Sequence, residues 1–136
     1  MPLSDFLSCP EEELETIITN DEPYSEGEWF KAKNIGMIQL CKLGELLNIG
    51  SYDELKNGFG IVGEPLPDGP WPETTPPALI AKLRQISDTE IQSVAQGWAR
   101  TDELTGDSSA NLVDYLTRLR DFLKQQSNPI FLINAL

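Results

Sequence analysis

The sequence predicts a mainly α-helical fold, a compact bundle of about five helices that forms a single globular domain over residues 1–136. A length of 136 residues suits one domain. Four segments match the Ser-x-x-Glu capping box, in which the serine side chain accepts a hydrogen bond from the backbone of the first helical turn. Three later segments repeat apolar residues at helical spacing. The capping boxes begin at Ser8, Ser25, Ser51 and Ser87.

The first half of the chain is predicted to hold a first helix, a central helix and a short helix, and a capping box before Trp29 offers one further helix start. The box at Ser8 predicts a helix of about ten residues that ends at Asn20, and the box at Ser25 is compatible with a helix start at Trp29. Apolar residues cover most of a helix circumference between 35 and 47, which is typical of a central helix buried on several sides. A short helix follows Ser51.

Three helices are predicted in the second half. The first starts at Thr75-Pro76-Pro77, where a proline costs little because the first N–H groups of a helix have no internal partner. The second follows Ser87 and places apolar residues at i, i+3, i+4 and i+7 as far as Trp98. The third runs over 112–123 and stops before Asn128-Pro129.

Residues 58–77 differ from the rest because they contain six of the ten prolines and four glycines. They predict a long ordered loop, since proline lowers the entropy lost on ordering. A linker between two small helical subdomains is the alternative. The apolar tail 130–133 is expected to dock on the core, to form an edge strand or to contact a partner. A minor β element is allowed at 59–62 and in this tail.

The net charge of the chain excludes some classes of binding partner. There are 22 acidic and 10 basic residues, and the net charge is −12. Such a chain repels phosphates and anionic lipids, so neither nucleic acid nor membrane is expected as a partner. The N-terminus has no basic region followed by an apolar one, and the apolar stretches are too short to span a bilayer. The prediction is a cytoplasmic protein.

The negative charge is concentrated at the start of the chain, because residues 1–30 hold nine acids and no base. A surface of one sign speeds association with a basic partner and disfavours wrong ones. For the acids at 11–13, placement in the first turn of a helix is the simpler explanation. Trp71, between two prolines, is either an interface anchor or a plug that closes the core. The candidate partner-binding residues are Glu11, Glu12, Glu13, Glu15, Asp21, Glu22, Glu26, Glu28 and Trp71.

Catalytic and cofactor chemistry has little support in the sequence. The chain has no histidine, and Cys9 and Cys41 form no Cys-x-x-Cys pair, so they are interpreted as buried, reduced thiols. Residues 58–63 match the Gly-x-Gly-x-x-Gly fingerprint of dinucleotide sites, but no strand precedes them and prolines follow. The acids at 102, 103 and 107 lack the ligand pattern of a calcium loop. We therefore expect no enzyme activity, cofactor or metal.

The resulting hypothesis is an acidic module that binds a basic protein. In charge, size and lack of catalytic groups the chain is similar to the small acidic immunity or inhibitor proteins that bacteria keep in the cytosol against their own toxins; this likeness is compositional and covers no motif. One alternative is a small enzyme or ligand-binding protein that uses Glu64, Asp68 and Glu73 beneath the 58–77 loop. Another is a structural subunit that forms a homo-oligomer through the apolar C-terminal segment.

Overall fold

The computed structural model describes residues 3–19, 27–31, 35–63, 70–101, 104 and 108–135. Within these residues the chain is a mixed α/β fold, so the prediction of a mainly helical bundle with a minor β element is wrong. A short 3₁₀ helix, Glu11–Glu13, leads into the first α-helix. The strands are β1 (Leu3–Ser8), β2 (Glu28–Phe30), β3 (Trp71–Thr74) and β4 (Ile130–Ala135), and the helices are α1 (Leu14–Ile18), α2 (Met37–Leu46), α3 (Tyr52–Lys56), α4 (Pro77–Gln85), α5 (Asp88–Trp98) and α6 (Ser109–Lys124).

The four strands form one antiparallel sheet in the order β2-β1-β4-β3. The apolar tail is therefore a central strand, and each of its residues 130–133 is at most 7% exposed. The N-terminal strand is also buried on both faces, because Phe6 and Leu7 point to opposite sides and are 1% and 0% exposed. Such a strand has no polar–apolar alternation, which explains why the sequence did not reveal it.

Two of the four predicted capping boxes are not confirmed. The helix predicted after the first box is present over 11–18, as the 3₁₀ helix and α1, but Ser8 does not cap it. Ser8 is the last residue of β1, and the 3₁₀ helix is preceded by Pro10 with no side-chain cap. Ser25 lies outside the described residues, and Trp29 belongs to a strand where a helix was predicted. The other two are confirmed: Ser51 completes a capping box with the third residue of α3, and Ser87 caps α5.

The chain divides into two compact units. The first comprises 1–36, 60–75 and 126–136, and it holds the sheet and α1. The second comprises 37–59 and 76–125 and holds α2 to α6, all of which lie where helices were predicted. Neither unit is continuous in sequence, so residues far apart in the chain meet within the first unit.

The core of the first unit lies between the sheet and α1. Leu7 and Phe131 come from adjacent strands and face the same side, because they are directly opposed in the ladder. Leu14 and Ile17 lie about one helical turn apart and bury the inner side of α1 against them. The full buried cluster is Leu7, Cys9, Leu14, Ile17, Phe131 and Ile133, with Ile18, Trp29 and Val62 packed at its margin.

Within the predicted loop over 58–77, two described segments form β pairs: β3, and residues 60–62. β3 pairs with β4. Residues 60–62 then pair with the other side of β3: the Val62 N–H donates to the Pro72 carbonyl at 2.9 Å, and the Thr74 N–H donates to the Gly60 carbonyl at 2.8 Å. These two hydrogen bonds flank an antiparallel bridge between Ile61 and Glu73.

Candidate partner-binding site

The acidic residues at 11–15 are exposed because of the way α1 packs. Strand β1 ends at Ser8, Pro10 has an extended backbone, and the 3₁₀ helix begins at the next residue, Glu11. Leu14 is 3% exposed and anchors the segment to the core. The remaining side chains face outward, which places four carboxylates in solvent within five residues. We name Glu11, Glu12, Glu13 and Glu15 the acidic segment; all four are exposed.

A groove of about 610 Å³ runs beside the acidic segment, wholly within the first unit. Three carboxylates, those of Glu11, Glu12 and Glu15, lie along it. The rest of its lining is mostly apolar and comes from α1 and from the residues on either side of 64–69. We name this the acidic groove; it is lined by Glu11, Glu12, Leu14, Glu15, Ile18, Thr19, Val62, Gly63, Pro70 and Pro72.

The structure brings together only part of the predicted binding set. Glu28 is exposed on β2, but β2 and β3 are the opposite edges of the four-stranded sheet, so Glu28 lies apart from the groove. Trp71 is half-buried in β3, and its side chain points away from the groove because Pro72, its neighbour, faces it. Asp21, Glu22 and Glu26 lie outside the described residues.

The acidic segment also acts on a buried thiol beneath it. Cys9 is 1% exposed and lies in the core of the first unit. Burial raises the pKa of the Cys9 thiol to about 11, and the carboxylates of Glu13 and Glu12 act in the same direction. Both effects disfavour the thiolate, the first through lost solvation and the second through repulsion of like charges. Cys9 is therefore a poor nucleophile in the folded protein.

This shift predicts how stability depends on pH. The ordinary thiol pKa is near 9.0 and the folded value is about 11, so between these values the unfolded chain releases a proton that the folded protein keeps. Proton release favours the unfolded state, and we expect the free energy of unfolding to fall as pH rises from about 9 to about 11. Urea denaturation over this range measures it.

The Cys9→Ala variant is the control for this prediction, since it removes the thiol and leaves every other titrating group. The difference in unfolding free energy between the two proteins should shrink steadily above pH 9. A constant difference across the whole range would show that Cys9 titrates normally.

A second polar cluster lies on the other face of the sheet, and sequence reasoning missed it. The Ser4 hydroxyl donates to the Asn134 side-chain oxygen at 2.8 Å, and the Asn134 amide donates to the Glu73 carboxylate. The same amide also donates to the Trp71 carbonyl at 3.4 Å. Burial raises the pKa of Glu73, while the Asn134 hydrogen bond opposes that shift. These contacts link β1, β4 and β3. Of the three acids suggested for a carboxylate site, Glu73 is the only one among the described residues, and its carboxylate is held by Asn134.

The glycine motif at 58–63 has packing and backbone reasons in this fold. A Cβ on Gly58 would lie 2.8 Å from the Cγ atom of Pro76, so a larger residue would force the two segments apart. Gly63 has a φ of +71°, a conformation that other residues adopt only under strain. Gly58 therefore permits a close approach to Pro76, and Gly63 permits a left-handed backbone conformation directly after the paired segment 60–62.

Other kinds of site find no support among the described residues. In those parts of the chain, no group of three or more histidine, cysteine, aspartate or glutamate side chains could hold a metal ion. None of the helices described is long and apolar enough to cross a bilayer. Glu64 and Asp68, the other acids suggested for a carboxylate site, lie outside the described residues.

Comparisons with protein families, with curated proteins and with solved structures found no match to this chain.

Proposed function

We propose that this protein is a non-enzymatic, acidic protein-binding module of the inhibitor or immunity type, which neutralises a basic partner such as a bacterial toxin in the cytoplasm. The observation that carries the proposal is the acidic groove: three exposed carboxylates beside an apolar lining, with no basic residue among the described residues that form it. The chain around it has a net charge of −12, so both the local and the overall field attract cations.

The groove combines the two features that a protein interface needs. Apolar side chains such as Ile18 and Val62 offer surface whose burial favours binding. Carboxylates at the rim stay hydrated, so they add little affinity by themselves but raise the association rate with a basic surface. An inhibitor of this kind works by covering a basic active site, its carboxylates taking the place of substrate phosphates.

The alternatives have weaker support in the described residues. The homo-oligomer hypothesis depended on an exposed apolar tail, but residues 130–133 are buried in the centre of the sheet. The carboxylate-site hypothesis has one described acid, Glu73, and that residue is held by Asn134. Both observations leave the acidic groove as the feature to test first.

The test is affinity capture from the host lysate with three forms of the protein. The first is the wild type, and the second carries Glu11, Glu12, Glu13 and Glu15 all changed to Lys. We expect the wild type to retain a basic protein at low salt and less of it at high salt, because screening weakens attraction between exposed charges. The fourfold reversal should not retain it.

The control variant changes the same number of exposed acids in the second unit, at Glu45, Asp53, Asp114 and Asp121, to Lys. It has the same net charge as the fourfold reversal. A difference in retention between the two variants therefore reports on the acidic segment and not on the net charge of the protein. Retention of the partner by the control and its loss from the reversal supports the proposal. Equal retention by all three forms would reject the acidic segment as the contact.

A further inference from the structure

Among the described residues, the segment 60–62 forms the outermost, unpaired edge next to β3. In an antiparallel ladder, successive residues direct their N–H and C=O groups to alternate sides. Gly60 and Val62 direct theirs toward β3, so those of Ile61 point the other way. Among the described residues, none pairs with Ile61 on that outer side. Its side chain is 58% exposed.

This edge borders the acidic groove. Side chains alternate along a strand, and Val62 packs at the margin of the core and lines the groove, whereas Ile61 points to the opposite face. A further strand laid beside 60–62 would follow the same alternation. Every second side chain of that strand would then point to the groove side, which is lined by Ile18 and by Glu11, Glu12 and Glu15.

Open edges in proteins are usually protected by lysine, proline or a bulge, because an unpaired edge invites another strand. The described residues at this edge are Gly60, Ile61, Val62 and Gly63, and none of them is charged. A second copy of this chain is a poor occupant, since each copy has a net charge of −12 and would meet the groove's carboxylates with its own. The charge complementarity favours an extended cationic segment.

We propose that the basic partner contributes an extended segment that pairs with Ile61 as an added strand. In the groove, this segment places an apolar side chain on the surface formed by Ile18 and Val62 and arginine or lysine side chains beside Glu11, Glu12 and Glu15. Main-chain hydrogen bonds supply affinity and the alternate side chains supply specificity, as in other cases of strand addition. This inference rests on the proposed function, because it specifies how the same acidic groove is used.

The probe is a fluorescent heptapeptide, Thr-Arg-Thr-Val-Thr-Arg-Thr, with blocked ends. When it is extended, its two arginines and its valine lie on one side and its threonines on the other. Two modified peptides keep these side chains. One carries an N-methyl group on the valine, and the other carries N-methyl groups on the two threonines that flank it. These positions donate N–H groups to opposite edges of the peptide.

We expect the unmodified peptide to bind, as measured by fluorescence anisotropy. One of the two methylated peptides should bind about tenfold more weakly and the other nearly as well, since only one edge meets the protein. Equal affinity of all three peptides would overturn strand addition. Absence of binding at about 1 mM peptide would also overturn it, as this exceeds the range expected for a specific contact.

Two protein variants separate the edge from the charge. Ile61→Pro removes the outward N–H while keeping the hydrogen bonds of Val62 and Gly60, and proline is tolerated at sheet edges. Ile61→Thr, its matched control, keeps that N–H and a β-branched side chain. We expect the first to weaken peptide binding about tenfold and the second to leave it unchanged. If Ile61→Pro does not fold, the methylated peptides decide the question with wild-type protein.

Failure of this inference is distinguishable from failure of the proposed function. Changing Glu11, Glu12 and Glu15 to Lys should abolish binding of the unmodified peptide. If it does so while the methylated peptides bind equally, the groove is acidic and cationic segments bind it without strand pairing. If the charge change has no effect on peptide binding, the proposed function fails as well.

Discussion

A Leu132→Asp substitution is expected to unfold the protein. Leu132 is 0% exposed at the centre of β4, where it is opposed by Phe6 on one side and by Glu73 on the other. An unpaired carboxylate at this position costs roughly 5 kcal/mol or more. The neighbouring carboxyl of Glu73 adds repulsion. Because small domains have about 5–15 kcal/mol of stability in total, the circular dichroism of the variant should lack a cooperative unfolding transition.

The control is Ser127→Asp, which adds the same charge at an exposed position before β4. This variant should unfold with a midpoint close to that of the wild type, since surface substitutions change stability by about 0.5 kcal/mol or less. A stable Leu132→Asp variant would contradict the buried position of Leu132 at the centre of the sheet.

Trp98→Ala is expected to cost about 3–5 kcal/mol of unfolding free energy, as is usual when a large aromatic side chain is removed from a core. Trp98 is 0% exposed in α5, and its ring centroid lies 5.8 Å from that of Tyr115. Its indole N–H donates to the Gln39 carbonyl at 2.8 Å and so links α5 to α2. Urea denaturation followed by circular dichroism measures the loss.

Trp98→Phe separates the two contributions of this side chain. It keeps an aromatic ring beside Tyr115 but removes the donor to Gln39, so we expect a smaller loss of about 1–3 kcal/mol. Equal losses for the two variants would mean that the hydrogen bond, and not the packing, carries the effect. A Trp98→Ala loss below about 1 kcal/mol would contradict the buried position.

The helices of the second unit could be predicted because their signals are local. In α5 the predicted stripe of Ile91, Val94, Ala95 and Trp98 is buried throughout, and Ser87 caps the helix as its motif indicates. Each signal lies within a few residues of the feature that it predicts. A helix that packs through one face can therefore be predicted from its own sequence, without knowledge of the fold.

The sheet could not be predicted in the same way. Its central pair joins Ser4 to Asn134, residues 130 positions apart, and β2 has only three residues. β3 contains Pro72, which usually argues against a strand but is tolerated near an edge. The motif at Ser8 predicted the helix but not the strand before it. A helical turn does begin at Glu11, but Ser8 is the last residue of β1 and Pro10, not Ser8, precedes the turn.

The candidate site was predictable in its charge but not in its shape. Charge placement singled out eight acids of the first thirty residues, and the structure places three of them, Glu11, Glu12 and Glu15, on one groove. The apolar part of that groove includes Val62 and Pro72, which follow the acids by about fifty residues or more in the chain. Only the pairing of 60–62 with β3 brings them beside α1. The sequence allows a β element at 59–62 but does not indicate which strand it pairs with.

The most direct test of the acidic groove is the association rate constant of the captured basic partner, measured as a function of ionic strength. For the wild type we expect a rate constant that falls steeply with added salt, from above about 10⁷ M⁻¹s⁻¹ toward the 10⁵–10⁶ M⁻¹s⁻¹ typical of unsteered association. The variant with Glu11, Glu12, Glu13 and Glu15 changed to Lys should start near the lower value and depend little on salt. Equal rate constants and equal salt dependence for the two proteins would contradict the proposal that this surface recognises a basic partner.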